Sequence, residues 1–324
     1  MRAKIQNISV QSQEGKIPFL DTLAQLVTRT EKIYSKRAKS KYITNGYLLS
    51  LIDLKSPLEH SYWNTFHCSN ILLHDKDENK LTGKYCNNRW CLVCNRIRSA
   101  KLIKSYENEI ELLSDLQFVT LTIPNVSNEN LKSAIELMQK NFSRTIIKFK
   151  VRAKRKNQKG FQGLRKLECT YNFKKDNYHP HYHIVISGKQ NAVDLVNDWL
   201  KRYPESNRGG QDIRVANKGS LRELFKYFTK VVSKTEKSYK NEYNVHIRAL
   251  DNINQSFYGK RVFQGFGGIK SRSEDIEEIK SEELQELFEG GIFEWVQDVS
   301  DWVSEYGEQL TNNSYHKHIK IKSL

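Results

Sequence analysis

The stretch LRKLECTYNFKKDNYHPHYHIVIS, residues 164–187, predicts the central feature of the fold. Its two ends, 164–173 and 181–187, are rich in aromatic and β-branched residues. The segment between them is rich in turn-forming residues, so we predict two antiparallel strands. Side chains alternate along a strand, which places His181 and His183 on one face. A short turn brings Glu168 of the first strand beside them.

These three side chains are candidate ligands of a divalent metal ion. Two neutral imidazoles make half of a metal site and Glu168 adds an oxygen ligand, so the donor set suits Mg²⁺ or Mn²⁺. An ion held there acts on a phosphodiester as a Lewis acid. Two simpler interpretations compete with this one. The histidines are surface residues at a polar strand end, or Glu168 forms an ion pair with Lys166 or Arg165.

A second candidate group lies on the predicted helix LRELFKYFTKVV, residues 221–232. At 100° per residue its apolar side chains share one face, and the opposite stripe carries Glu223, Lys226, Tyr227 and Lys230. The Tyr227 hydroxyl is a candidate nucleophile, whose ionisation the two lysines or the metal ion can assist. Glu223 is placed to take a proton from water. The simpler interpretation is a surface helix with a Glu–Tyr pair at i, i+4 spacing.

Four of the five cysteines lie within 27 positions, an arrangement that indicates zinc rather than disulfides. The pattern Cys86-x4-Cys91-x2-Cys94, preceded by Cys68, fits a closed tetrahedral site for a structural Zn²⁺. His67 is an alternative to Cys68 as a ligand, and buried free thiols are the competing interpretation.

The 324-residue chain carries a formal charge of +16, and this charge is unevenly distributed. Residues 271–310 contain thirteen acidic residues and two basic ones, so residues 1–270 form a strongly basic body that suits nucleic acid. The candidate DNA contacts are Lys154, Arg155, Lys156, Lys159, Arg165 and Lys226. No apolar run is long enough to span a bilayer, so we predict a cytoplasmic protein without membrane contact.

Five motifs occur together in order along the chain: RWCLVCNRIR (89–98), FVTLT (118–122), ECTYN (168–172), HPHYHIV (179–185) and ELFKYFTK (223–230). In this combination the chain resembles the rolling-circle replication initiators of small bacterial plasmids, in the HUH endonuclease superfamily. The resemblance implies a central antiparallel sheet that bears the His-x-His strand, a divalent metal ion and a tyrosine on a facing helix.

Carried over residue by residue, the resemblance assigns the metal-binding histidines to His181 and His183. It assigns the nucleophile of the E-x3-Y-x2-K motif to Tyr227, with Lys230 as the motif lysine. Glu223 matches the glutamate that single-tyrosine members use to activate water at termination. The implied substrate is an origin segment that is single-stranded or part of a hairpin, with duplex origin DNA also bound and a host helicase as a further partner.

The predicted elements follow the order β, α, β, β, α, β, α, which indicates an α+β fold with one mainly antiparallel sheet flanked by helices. We divide the chain into an N-terminal segment of unknown role (1–60), a zinc-binding segment (61–113), an HUH nicking domain (114–270) and an acidic tail (271–324). The tail is predicted to form amphipathic helices over 282–289 and 292–306. It is a candidate surface for a homodimer.

The predicted activity is metal-dependent nicking and joining of one DNA strand through a 5′-phosphotyrosyl link. A relaxase or a single-tyrosine transposase would use the same chemistry. The alternative from another class is a non-catalytic, zinc-containing regulator that binds nucleic acid. In that case the histidine strand is a sheet edge and Tyr227 is a surface residue.

Overall fold

The computed structural model describes residues 18–75, 80–158, 160–217, 220, 223–224, 232–233, 243–270, 291–312 and 319–322. The described helices are α1 (Pro18–Asp53), α2 (Glu59–Phe66), α3 (Leu92–Glu111), α4 (Asn128–Arg155), α5 (Lys189–Arg202) and α6 (Ile247–Phe257). The described strands are β1 (Ile71–Asp75), β2 (Lys80–Gly83), β3 (Leu116–Thr122), β4 (Gly163–Asn172), β5 (Asn177–Ser187), β6 (Asp212–Val215), β7 (Val232–Ser233), β8 (Tyr243–His246), β9 (Phe263–Phe266), β10 (Ile292–Val296), β11 (Asp301–Ser304) and β12 (Ile319–Lys322).

A five-stranded antiparallel sheet with the strand order β6-β3-β5-β4-β9 forms the centre of the fold. The predicted hairpin is its β4–β5 pair, in which Lys166 lies opposite His183 and Glu168 opposite His181. Strand β5 begins at Asn177, four residues before the predicted start. The α+β class with an antiparallel sheet flanked by helices is confirmed.

The two faces of this sheet bury different sets of side chains. One face packs against α4, α5 and α6, around core residues that include Met138, Tyr182, Ile184 and Trp199. The opposite face is covered in part by α3 and buries Phe118, Leu164, Val185 and Leu224. Full burial of each large apolar side chain contributes about 1.5–3 kcal/mol, so both faces hold their helices in place. Strand alternation puts the candidate ligands on the second face, beside the α3 cluster.

The prediction of a helix over 292–306 is wrong. Strands β10 and β11 form an antiparallel pair there, and β10 adds to β1 in a four-stranded sheet with the order β11-β10-β1-β2. The segment is rich in aromatic and β-branched residues, which favour strands. Phe293 and Trp295 share one face and pack with Leu72 and the fully buried Trp302. The other predicted tail helix, 282–289, lies outside the described residues.

A third sheet, with the order β12-β8-β7, completes the described strands. Within the described residues, no helix is long and apolar enough to cross a membrane.

Candidate metal centre

Three side chains of the β4–β5 hairpin converge on the α3 face of the central sheet. The Nε2 atoms of His181 and His183 each lie 3.5 Å from Oε2 of Glu168. One potential ligand atom from each residue falls within 4.8 Å of the other two. Both histidines are buried, with exposed fractions of 5% and 6%. The cross-strand register produces this arrangement, because it places Glu168 directly opposite His181.

The hydrogen bonds of the two imidazoles leave their Nε2 atoms directed at the cluster. Nδ1 of His181 lies 2.9 Å from the backbone oxygen of His179, and a carbonyl oxygen only accepts, so Nδ1 carries the proton and Nε2 is free to bind a cation. Nδ1 of His183 lies 3.4 Å from Oγ1 of Thr120. Outer hydrogen bonds of this kind orient histidine ligands in metal sites.

The donor set fits a divalent metal ion. Nε2 of His183 is buried and makes no hydrogen bond among the described residues. A buried polar atom left in this state costs about 1–3 kcal/mol, which an ion bound to it would offset. Two imidazole nitrogens and one carboxylate oxygen suit Mn²⁺ or Mg²⁺ and leave positions open for substrate oxygens. The residues of the site therefore fit a bound Mn²⁺ or Mg²⁺ ion.

The carboxylate of Glu168 uses its two oxygens differently. Oε1 accepts a hydrogen bond from Nζ of Lys166 at 2.5 Å, whereas Oε2 faces the two imidazoles. The ion pair with Lys166, which was the competing interpretation of Glu168, is thus present, but it involves only Oε1. Burial raises the pKa of the Glu168 carboxyl, yet its interactions with the two histidines and with Lys166 outweigh burial and hold the pKa below its usual range.

His179 lies next to this group without joining it. Its ring stacks on that of His181 at 5.3 Å, and its Nδ1 lies 2.8 Å from Oδ1 of Asn125. Burial, and then the neighbouring His181, lower the pKa of His179, which favours its neutral form. His179 therefore lies beside the group of three candidate ligands, with its ring against that of His181.

The start of the predicted nucleophile helix lies on the same face of the sheet. Leu224 is fully buried against Phe118. The backbone oxygen of Glu223 lies 3.5 Å from Nζ of Lys166, and its carboxylate accepts a hydrogen bond from Arg214 at 2.9 Å. Tyr227, Lys226 and Lys230 lie outside the described residues, as does Lys159.

The sequence did not reveal Arg214 as part of this surface. Its guanidinium lies 4.6 Å above the ring of Phe118, which in turn lies 5.4 Å from the ring of His183. Arg214 reaches this position because β6 pairs with β3, with Arg214 opposite Phe118. Residues 212–215 form strand β6, and no sequence signal gave its pairing with β3.

The predicted DNA contacts separate into two groups. Lys154, Arg155 and Lys156 are exposed at the end of α4, which covers the face of the sheet opposite to the metal centre. Arg165 is a correction, because this side chain is 4% exposed. Its guanidinium packs 5.1 Å from the ring of Tyr182 and donates to Gln264, so Arg165 belongs to the core rather than to a DNA surface.

The four predicted zinc ligands form a second cluster. Sγ of Cys68 lies 3.5 Å from that of Cys94 and 3.6 Å from that of Cys91, and Cys86 lies 3.6 Å from Cys94. These separations approach the spacing of about 3.8 Å that tetrahedral geometry with Zn–S bonds of about 2.3 Å requires. All four cysteines are free thiols, so the arrangement fits a metal rather than a disulfide.

The cysteine cluster is fixed by the N-terminus of α3 and by a buried cation. Sγ of Cys91 accepts a hydrogen bond from the backbone N–H of Cys94 as the N-cap of α3. Nζ of Lys41 donates to the backbone oxygen of Cys68 at 2.7 Å. Burial lowers the pKa of Lys41 to about 8, although the four cysteines oppose this shift.

Comparisons with known proteins find relatives of this chain among replication proteins. Residues 79–194 match a family model described as a replication protein. A Staphylococcus aureus protein named "Protein rep" is 32% identical over 161 residues, which cover 44% of this chain and 68% of that protein. A "Protein rep" of Streptococcus pneumoniae is 25% identical over 244 residues, or 68% of this chain and 70% of that protein.

No solved structure matches the chain. The matched range, 79–194, contains the β4–β5 hairpin and three of the four clustered cysteines. The chain therefore belongs to the Rep family of replication proteins, the initiators of rolling-circle plasmid replication.

Proposed function

We propose that this initiator nicks one strand of its plasmid origin and later rejoins it, with Tyr227 as the nucleophile. The observation that carries the proposal is the convergence of His181, His183 and Glu168 on the face of the sheet where the Glu223–Leu224 segment packs. Tyr227 follows Glu223 by four residues in the sequence, a separation of about one helical turn. The match to replication proteins supports the same conclusion.

Each side chain then has a defined part in cleavage. His181, His183 and Glu168 would hold a Mn²⁺ or Mg²⁺ ion, which would supply Lewis-acid chemistry at the scissile phosphate. The Tyr227 oxygen attacks phosphorus as its proton leaves, the bond from phosphorus to the 3′ oxygen breaks, and that oxygen takes a proton. The products are a 5′-phosphotyrosyl link and a free 3′-OH, which is the primer end that replication needs.

Glu223 is the proposed general base of the second, hydrolytic cleavage. Its carboxylate lies at the edge of the site in an ion pair with Arg214. Lys226 and Lys230, close to Tyr227 in sequence, stabilise the phenolate and the phosphate charge.

The basic side chains of the protein bind DNA through the DNA phosphates. Single-stranded DNA passes the metal centre, and the exposed Lys154, Arg155 and Lys156 contact the duplex flank on the other side of the sheet. Lys159 and Lys226 add further phosphate contacts, and binding weakens steeply with salt because counterions are released. We also propose that the four-cysteine cluster binds a structural Zn²⁺. The proposed protein partners are a host helicase and a second copy of this chain.

The direct test is mass spectrometry of the product formed from wild-type protein, Mn²⁺ and a labelled single-stranded origin oligonucleotide. We expect a covalent adduct at Tyr227 and no adduct in Tyr227→Phe, which should still bind the oligonucleotide. Tyr243→Phe is the matched control and should form the adduct normally. An adduct that persists in Tyr227→Phe would reject the assignment. Binding without any adduct in the wild type would favour the non-catalytic regulator.

A further inference from the structure

We propose that Lys166 is a positioning residue that orients the third metal ligand and ties it to the segment that leads to Tyr227. This inference rests on the proposed function and concerns how its metal centre is held. Lys166 contacts both Glu168 and the backbone oxygen of Glu223. It is therefore the one described side chain for which hydrogen bonds to both the ligand set and the nucleophile segment are observed.

The position of Lys166 follows from the strand register. Lys166 and Glu168 are two residues apart on β4, so both side chains project from the ligand-bearing face. Lys166 pairs across the sheet with His183, and Glu168 pairs with His181. Four neighbouring positions of two strands thus carry two imidazoles, one carboxylate and one ammonium group.

The contact between Lys166 and Glu168 fixes the direction of the carboxylate. Nζ lies 2.5 Å from Oε1, which turns Oε2 towards the Nε2 atoms of His181 and His183 at 3.5 Å each. Lys166 is 2% exposed, so solvent does not compete for this hydrogen bond. Without it, the carboxylate could rotate and present neither oxygen to the two imidazoles.

The second contact of Lys166 links the ligand set to the next element. Its Nζ lies 3.5 Å from the backbone oxygen of Glu223, beside the buried Leu224. Tyr227 follows Glu223 by four residues in the sequence. A single ammonium group therefore contacts both the carboxylate ligand and the segment 223–224, which precedes Tyr227 in the sequence.

A lysine beside a metal site can act by charge or by orientation, and the two roles predict opposite effects on metal affinity. The ammonium group repels a divalent cation, so a lysine that supplied only charge would raise metal affinity when removed. A lysine that orients Glu168 would lower the affinity when removed, by about tenfold or more, as is typical of groups that hold metal ligands.

The test is the Mn²⁺ affinity of the full-length protein without DNA, measured by calorimetry. Lys166→Met keeps the length of the side chain but removes its hydrogen bond, and we expect affinity to fall about tenfold. Lys166→Gln removes the charge but still offers an N–H to Oε1, and we expect affinity within about threefold of the wild type. Lys148→Met, which breaks the Lys148–Asp198 pair on the opposite face, is the matched control and should leave affinity unchanged.

Circular dichroism and bound zinc show whether each variant is folded. Unchanged or increased Mn²⁺ affinity in Lys166→Met would overturn the inference. If that variant does not fold, Lys166→Gln decides. Affinity within about threefold of the wild type would support orientation by the remaining N–H group, whereas a larger rise would show that the lysine acts through its charge and would overturn the inference. Failure of the wild type to bind Mn²⁺, or equal binding by His183→Ala, would instead reject the metal centre of the proposed function.

Discussion

Replacement of Glu168 by Gln removes one negative charge from the centre of the site and preserves the shape of the side chain. Nζ of Lys166 lies 2.5 Å from the carboxylate and the lysine is 2% exposed, so the variant leaves a buried ammonium group without this carboxylate. Removal of one partner of a buried pair costs about 3–5 kcal/mol. We expect the free energy of unfolding, measured without added metal, to fall by about this amount.

The same substitution weakens the proposed metal centre. If Mn²⁺ binds only the folded protein, a concentration of about 100 times Kd raises the free energy of unfolding of the wild type by about 2.7 kcal/mol. The neutral amide that replaces the Glu168 carboxylate is a poorer ligand for a hard cation. We therefore expect the stabilisation by the same Mn²⁺ concentration to fall below about 1 kcal/mol in Glu168→Gln.

Urea unfolding followed by circular dichroism, with and without Mn²⁺, measures both effects. Glu136→Gln is the matched control, because Glu136 is an exposed glutamate paired with Lys260 far from the cluster. It should keep the wild-type urea midpoint and the full stabilisation by Mn²⁺. A Glu168→Gln protein with the wild-type midpoint and the wild-type response to Mn²⁺ would refute both the buried pair and the ligand role.

Three further predictions concern the acid stability, the tail and the cysteine cluster. Burial alone would raise the pKa of Asp198, but hydrogen bonds from three neighbouring side chains lower it to about 2. Its stabilising contribution is thus present above about pH 4 and is lost as the pH falls towards 2, so Asp198→Asn should flatten the acid limb of stability against pH, whereas Asp194→Asn should not. Trp302→Ala should lower the free energy of unfolding by about 3–5 kcal/mol, because this fully buried ring also donates to the backbone oxygen of Ser69, and a smaller loss would contradict the packing of β11. Cys94→Ser should reduce bound zinc from one equivalent to near zero by atomic absorption, and unchanged zinc content would remove Cys94 from the site.

The sequence predicted correctly those parts of the structure whose residues lie close together along the chain. The β4–β5 hairpin has a seven-residue predicted connection, so the alternation of its two strands brings Glu168, His181 and His183 together without information from the rest of the chain. The cysteine spacing is similarly direct, because three of the ligands lie within nine residues at the start of one helix.

Distant pairings could not be read from the sequence. Arg214 meets Glu223 only because β6 joins the edge of β3, a contact set by the whole sheet. The tail was misassigned because a short run of aromatic and β-branched residues fits a helical period and a strand period almost equally well, and the strand β1 available for pairing decides between them. Arg165 was misassigned because a guanidinium can be buried when it stacks on aromatic rings, here those of Phe142 and Tyr182.

Strand β5 carries core residues on one face and candidate metal ligands on the other. Tyr182 and Ile184 point into the core between the sheet and α4, whereas His181 and His183 point to the opposite face. Ile184→Ala should therefore lower the free energy of unfolding and leave the metal ligands in place. His183→Ala should affect metal binding more than the packing of α4. A shift of one residue in the β4–β5 register would exchange the two sets, so the apolar core that fixes the register also fixes the position of the metal centre.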